Sequence, residues 1–184
     1  MANRLKEKNI IVGITGSIAI YKTCDIVRKL LKNNWNVKVI MTESSKKFIN
    51  PLTFETLSKN QVYSDMFEKK VYEEDHIALA DFAKIILICP ATANIIGKIA
   101  SGICDDLLTT TIFAFKGPVI FAPAMNENMW LNKIVQENVK KLKRYGYYFI
   151  EPEEGELASG KKGKGRLAKI EKIIDFVEET YNNL

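Results

Sequence analysis

The chain has one histidine, three cysteines and no apolar run close to the ~20 residues a membrane span requires. Each shortage narrows the reading. Cys24, Cys89 and Cys104 are odd in number, lie in apolar surroundings and show no CxxC or Cys/His ligand spacing. They support neither a disulfide framework nor a zinc site, so no metal is expected and all three read as buried packing residues. The first eight residues lack the h-region of a signal peptide, which reads as a cytoplasmic protein with no membrane partner. Neither a GxGxxG fingerprint nor the GK[ST] of a P-loop occurs. The net charge of +5 is scattered among acidic residues, with no basic stripe interleaved with aromatics, so no nucleic-acid partner is expected.

What the chain does contain is an α/β alternation. Its 184 residues suit one domain spanning 1–184, and 47% hydrophobic content suits a globular one. Residues 9–14, 37–41, 85–89, 119–122 and 147–150 read as strands. Helical patterns cover 18–33, 48–58, 76–82, 93–100, 105–114, 128–145 and 170–181. This order predicts a single Rossmann/flavodoxin-like three-layer domain, a parallel sheet covered on both faces. Residues 151–165, rich in Gly, Glu and Lys, read as a loop of about 15 residues, a length that is usually functional or disordered.

Two of the predicted strands end in short polar islands, Pro90-Ala91-Thr92-Ala93-Asn94 and Pro123-Ala124-Met125-Asn126. Ligands of open α/β sheets sit beyond the carboxyl ends of the strands, so these islands point to a preformed site. Gly16-Ser17 lies at a strand-to-helix junction, where free N–H groups and the helix dipole favour a phosphate; a tight turn with an N-cap is the plainer reading. Thr42-Glu43-Ser44-Ser45 follows the next strand and would stand beside Gly16. Side by side, the two hydroxyl-rich turns favour a mononucleotide phosphate site. His76, the lone histidine, reads as a packed or surface residue or, at the start of a helix after an acidic turn, as an acid–base group at a loop edge. Lys161, Lys162, Lys164 and Arg166 suit an anionic small molecule or a solvated loop.

Seven segments in order carry a resemblance to a known family. They are Gly16-Ser17-Ile18-Ala19 with Lys22, Thr42-Glu43-Ser44-Ser45, His76-Ile77-Ala78-Leu79-Ala80 and Pro90-Ala91-Thr92-Ala93-Asn94. Gly97-Lys98-Ile99-Ala100, Gly102-Ile103-Cys104-Asp105-Asp106-Leu107-Leu108-Thr109 and Pro123-Ala124-Met125-Asn126 complete the set. The chain resembles the homo-oligomeric flavin-containing cysteine decarboxylases, and within them the phosphopantothenoylcysteine decarboxylase type of coenzyme A biosynthesis.

That resemblance implies FMN held by Gly16, Ser17 and Ile18, by Thr42 and Ser44, and by Thr92, Ala93 and Asn94, with Ala124 against the flavin. It implies His76 as the essential histidine and Asn126 as the group that holds the substrate carboxylate. Met125, Ala158, Lys161 and Arg166 are expected to complete the site for 4'-phosphopantothenoylcysteine, the last three from a clamp over about 151–168. It also implies sites formed between subunits of a trimer or a dodecamer of trimers, and the sequence read here carries no fused synthetase domain.

The chemistry explains why a flavin is called for. Direct loss of CO2 from a cysteine carboxylate leaves a carbanion without an electron sink, whereas oxidation of CH2–SH to a thioaldehyde places C=S one bond away. A flavin accepts the hydride that this oxidation releases. The resulting ene-thiol must then be reduced and protonated, which in the family a clamp cysteine does. Ser159 stands at that position here, and a hydroxyl is a far weaker acid than a thiol of pKa about 8.5. Three readings stand: a serine introduced to trap the intermediate, another proton source such as Lys161 or water, or release of the ene-thiol, as in peptidyl-cysteine decarboxylases. An FMN-binding regulatory subunit that has lost catalysis is the alternative outside enzymology.

Overall fold

The computed structural model describes residues 7–66, 75–156, 160 and 162–184. Its elements run β1 (Asn9–Ile14), α1 (Ile20–Lys32), β2 (Asn36–Met41), α2 (Glu43–Lys46), α3 (Pro51–Ser58), β3 (Val62–Tyr63) and α4 (Asp75–Phe82). They continue through β4 (Ile85–Ala91), α5 (Ala93–Ser101), α6 (Leu107–Ala114), β5 (Val119–Pro123), α7 (Glu127–Trp130), α8 (Lys133–Arg144) and β6 (Tyr148–Phe149). The chain finishes with β7 (Glu153–Glu156), β8 (Lys162–Arg166) and α9 (Ile170–Asn182).

Six strands form one sheet in the order β3-β2-β1-β4-β5-β6, parallel at every pairing. The strand sequence explains the burial on both faces. Every residue of β1 is buried, and alternate side chains enter different cores. Ile10, Val12 and Ile14 join the core under α1 and α9, whereas Ile11 packs with Leu79 of α4 and Leu108 of α6. Helix α1 buries Ile20, Thr23, Ile26, Val27 and Leu30, the three-and-four spacing of a one-sided helix. Each such aliphatic side chain contributes ~1.5–3 kcal/mol on burial. The strand order reverses between β1 and β4, so the crevice of this doubly wound sheet opens beyond their carboxyl ends.

The predicted architecture holds, with corrections. β4 runs on through Pro90 and Ala91 after a cis Cys89–Pro90 bond, so the first polar island begins at Thr92. Residues after Thr42 form the helical turn α2. Two elements had no periodic signal: β3, only two residues long, and the antiparallel β7–β8 hairpin inside the expected loop. Glu and Lys are poor strand formers, but β8 alternates buried Gly163 and Gly165 with exposed Lys162, Lys164 and Arg166. That period of two is carried by glycines, so it gives no apolar alternation. Cys104 is exposed, not packed as expected, because it lies in the turn between α5 and α6.

Candidate active site

The turns after β1, β2, β4 and β5 meet at the carboxyl edge of the sheet, and short polar side chains join them. Buried Thr15 bridges the crevice: its hydroxyl donates to the Pro90 carbonyl at 2.6 Å and accepts from the Thr92 N–H at 3.1 Å. Thr23 donates to the Cys89 carbonyl at 3.1 Å, and Ser17 to the Ala124 carbonyl at 3.2 Å. The Ala124 N–H in turn donates to Ala91 O. A Cβ on Gly16 would fall 2.8 Å from Ser44 Oγ, so only glycine lets the first two turns approach this closely. Thr42 contacts Ser44 through their hydroxyls at 3.2 Å, and Thr92 N-caps α5.

A cavity of about 840 Å³ opens on this edge. Ser17, Ile18 and Lys22 line one side, Ala124, Met125 and Asn126 the floor, and Gly165 and Arg166 the hairpin side. Burial first, and the Arg166 guanidinium second, hold the Lys22 ammonium below its usual range, while Glu153 works the other way. Lys22 and Arg166 thus bring two cations to this cavity, with the Glu156 carboxylate also lining it. Asn126 N-caps α7, its Oδ1 accepting from Asn128 N–H at 2.9 Å, which directs its amide N–H bonds elsewhere. Cys89, behind the crevice, is fully buried, which pushes its thiol up to about 12 and leaves it a packing group.

Not every expected site residue lines this cavity. Ser17, Ile18, Ala124, Met125, Asn126 and Arg166 do. Gly16, Thr42, Ser44, Thr92, Ala93 and Asn94 stand on the adjoining turns of the same edge. His76 lies on α4, whose Leu79 packs in the opposite core from α1, and does not line it. Ala158, Ser159 and Lys161 lie outside the described residues. Lys22, Tyr21 and Glu156 line the cavity without having been assigned a role. The signal for Lys22 was its place in the first of the seven segments, near the start of α1.

The donor set fits a flavin mononucleotide. Ser17, Thr42, Ser44 and Thr92 and the start of the long helix α1 set neutral polar groups along the edge, while the nearby Glu43 carboxylate pairs with Lys46. The cavity volume falls in the upper part of the range of small-molecule sites, roughly 300–1,000 Å³. Among the described residues, no group of His, Cys, Asp and Glu is placed to hold a metal ion, and no helix is long and apolar enough to cross a membrane.

Comparisons with known proteins agree with this geometry. The chain is 43% identical over 175 residues to a probable phosphopantothenoylcysteine decarboxylase of Streptococcus mutans, covering 94% of this chain and 98% of that protein. It is 48% identical to the coenzyme A biosynthesis bifunctional protein CoaBC of Bacillus subtilis, covering 96% of this chain but only 44% of that longer protein. Among solved structures, a PPC decarboxylase Cys-to-Ser mutant complexed with pantothenoylaminoethenethiol superposes with a TM-score of 0.85 at 29% identity, covering 96% of this chain and all of that one. The FMN-dependent cysteine decarboxylase SpaF gives 0.82 at 28% identity, covering 94% and 96%. The flavoprotein family model matches residues 2–182, and the chain belongs to the flavoprotein family.

Proposed function

We propose that this chain is an FMN-dependent decarboxylase of 4'-phosphopantothenoylcysteine in coenzyme A biosynthesis, acting in the cytoplasm as a homo-oligomer. The observation that carries the reading is the cavity at the sheet's carboxyl edge, lined by Lys22, Arg166 and Asn126. A phosphorylated substrate supplies the anion that these two cations suit, and a guanidinium can take it with two parallel N–H bonds. A peptide substrate has no phosphate to offer them.

FMN, when bound, supplies the two-electron acceptor that turns the CH2–SH arm into a thioaldehyde. Gly16, Ser17 and Ile18, with Thr42, Ser44, Thr92, Ala93 and Asn94, would hold it along the edge, with Ala124 beneath. Asn126 donates to the substrate carboxylate without a charge that would resist CO2 departure. As CO2 leaves, the electron pair of the broken C–C bond passes into the C=S group and gives the ene-thiol. His76 manages the proton of the thiol or carboxylate. Its placement on the layer opposite the cavity wall, half-buried beside exposed Ile77, supports a site completed by a neighbouring protomer, as in a trimer or a dodecamer of trimers.

Ser159 sets the product. With a hydroxyl at the clamp position, the ene-thiol is expected to accumulate, and pantothenoylaminoethenethiol in the solved Cys-to-Ser relative is the same class of molecule. The test is incubation of the FMN-loaded protein with 4'-phosphopantothenoylcysteine, following CO2 and product by mass spectrometry. CO2 with ene-thiol is the expected result, and Ser159→Cys should convert it to the saturated amine thiol. No CO2 and no flavin bleaching would end the proposal.

A further inference from the structure

Glu127 links two parts of the cavity lining, the segment after β5 and the β7–β8 hairpin. It is the first residue of α7, directly after Asn126, and its carboxylate lies against the middle of β8. Oε1 accepts the Lys164 N–H at 2.8 Å. A Cβ built on Gly163 would fall 2.6 Å from the Glu127 carboxyl carbon, so the carboxylate occupies the space a side chain would need. Two residues on, the Met125 N–H donates to Gly165 O at 3.0 Å, and a Cβ on Gly165 would fall 2.2 Å from Met125 O. The hairpin is therefore seated on the Met125–Glu127 segment through two glycines, one backbone bond and one carboxylate. Arg166 is the next residue along β8.

We propose that Glu127 is a positioning residue: it fixes the β7–β8 hairpin, and with it Arg166, at a set distance from Asn126. One end of the substrate is taken by Asn126 and the other by Arg166, so the seat sets the span the substrate must bridge. This inference rests on the functional reading above for the substrate and on the hairpin geometry alone for the seat. The role needs an oxygen acceptor of this reach more than a negative charge, so glutamine suffices, whereas leucine removes the acceptor and aspartate is one methylene short.

The experiment compares FMN-loaded Glu127→Leu, Glu127→Asp and Glu127→Gln with the unsubstituted protein. Steady-state CO2 release from 4'-phosphopantothenoylcysteine in air-saturated buffer, where dissolved O2 re-oxidises the reduced flavin, and the rate of tryptic cleavage after Lys164 and Arg166 are measured. Loss of a hydrogen bond to a charged acceptor is expected to raise KM about tenfold in the leucine and aspartate variants, with little change in kcat. Cleavage of the hairpin should accelerate in those two, and Glu127→Gln should behave as the unsubstituted protein in both assays. Unchanged KM and unchanged cleavage in Glu127→Leu overturn the inference, as does a glutamine variant as impaired as the leucine one. Cleavage needs no substrate, so absence of CO2 from the unsubstituted protein refutes the functional reading and leaves the seat under test.

Discussion

The two walls of the cavity are held by different means. The β1–α1 turn is tied into the sheet by buried side-chain bonds: Thr15 to the turn after β4, Thr23 to Cys89, and Ser17 to Ala124. The β7–β8 hairpin stands outside the six-stranded sheet and rests on it through close glycine packing, the Met125–Gly165 bond and the Glu127 carboxylate. The first wall is part of the fold; the second is laid on it. One wall is thus joined to the sheet through buried bonds, and the other is seated on the Met125–Glu127 segment at its edge. Damage to the first wall should therefore appear as lost stability, and damage to the second as lost binding.

Thr15→Val gives the largest expected effect. The shape is kept, but the Pro90 carbonyl loses its buried donor and the Thr92 N–H its acceptor, which should cost about 2–3 kcal/mol in urea unfolding and reduce FMN retention. An unfolding midpoint equal to that of the unsubstituted protein would remove the distinction between the walls.

Gly165→Ala comes next. The added methyl group must push the hairpin off Met125 O, so KM should rise about tenfold or more while the unfolding midpoint shifts less than in Thr15→Val. A large stability loss with normal KM would show that the hairpin belongs to the fold after all.

Lys22→Met and Arg166→Met sharpen the contrast between substrate and cofactor. Each should raise KM about tenfold for 4'-phosphopantothenoylcysteine and far less for its unphosphorylated counterpart, because only the phosphate meets the paired cations. Equal effects on both substrates would remove the anion site from the account.

The smallest effect belongs to the opposite end of the sheet, where Glu178 accepts from Lys8 at 2.9 Å and from Trp35 at 2.8 Å. Burial alone would raise its carboxyl pKa, but Lys8, Trp35 and Asn33 override burial and hold it below the usual 4.5. A depressed folded value contributes stability that is fully present above pH 4.5 and lost as pH falls through the folded value. Glu178→Gln should thus lower stability by about 1 kcal/mol at neutral pH, a difference that closes in acid, with activity unchanged. A difference that persists in acid would assign the effect to packing.

The same division explains what could be read from the sequence. The rigid part was legible: β1, β2, β4 and β5 are short apolar runs, α1 and α9 are one-sided helices, and the polar residues at strand ends mark the edge of a doubly wound sheet. The motifs at Gly16, Thr42, Thr92 and Asn126 therefore fell on the carboxyl edge of that sheet. The hairpin was illegible because its strands are charged and glycine-rich, the composition of a loop, and they are strands through their pairing with each other. Long-range facts were equally hidden. No spacing shows that Glu127 lies against Gly163, that Lys22 faces Arg166, or that His76 belongs to the other layer.

The most direct test is a titration of the flavin-free protein with FMN, followed by quenching of flavin fluorescence and by the visible spectrum. Saturable, stoichiometric binding that is weakened by Thr15→Val and unaffected by Gly165→Ala is the predicted result. A protein that leaves added FMN fully fluorescent at every concentration would contradict the account at its base.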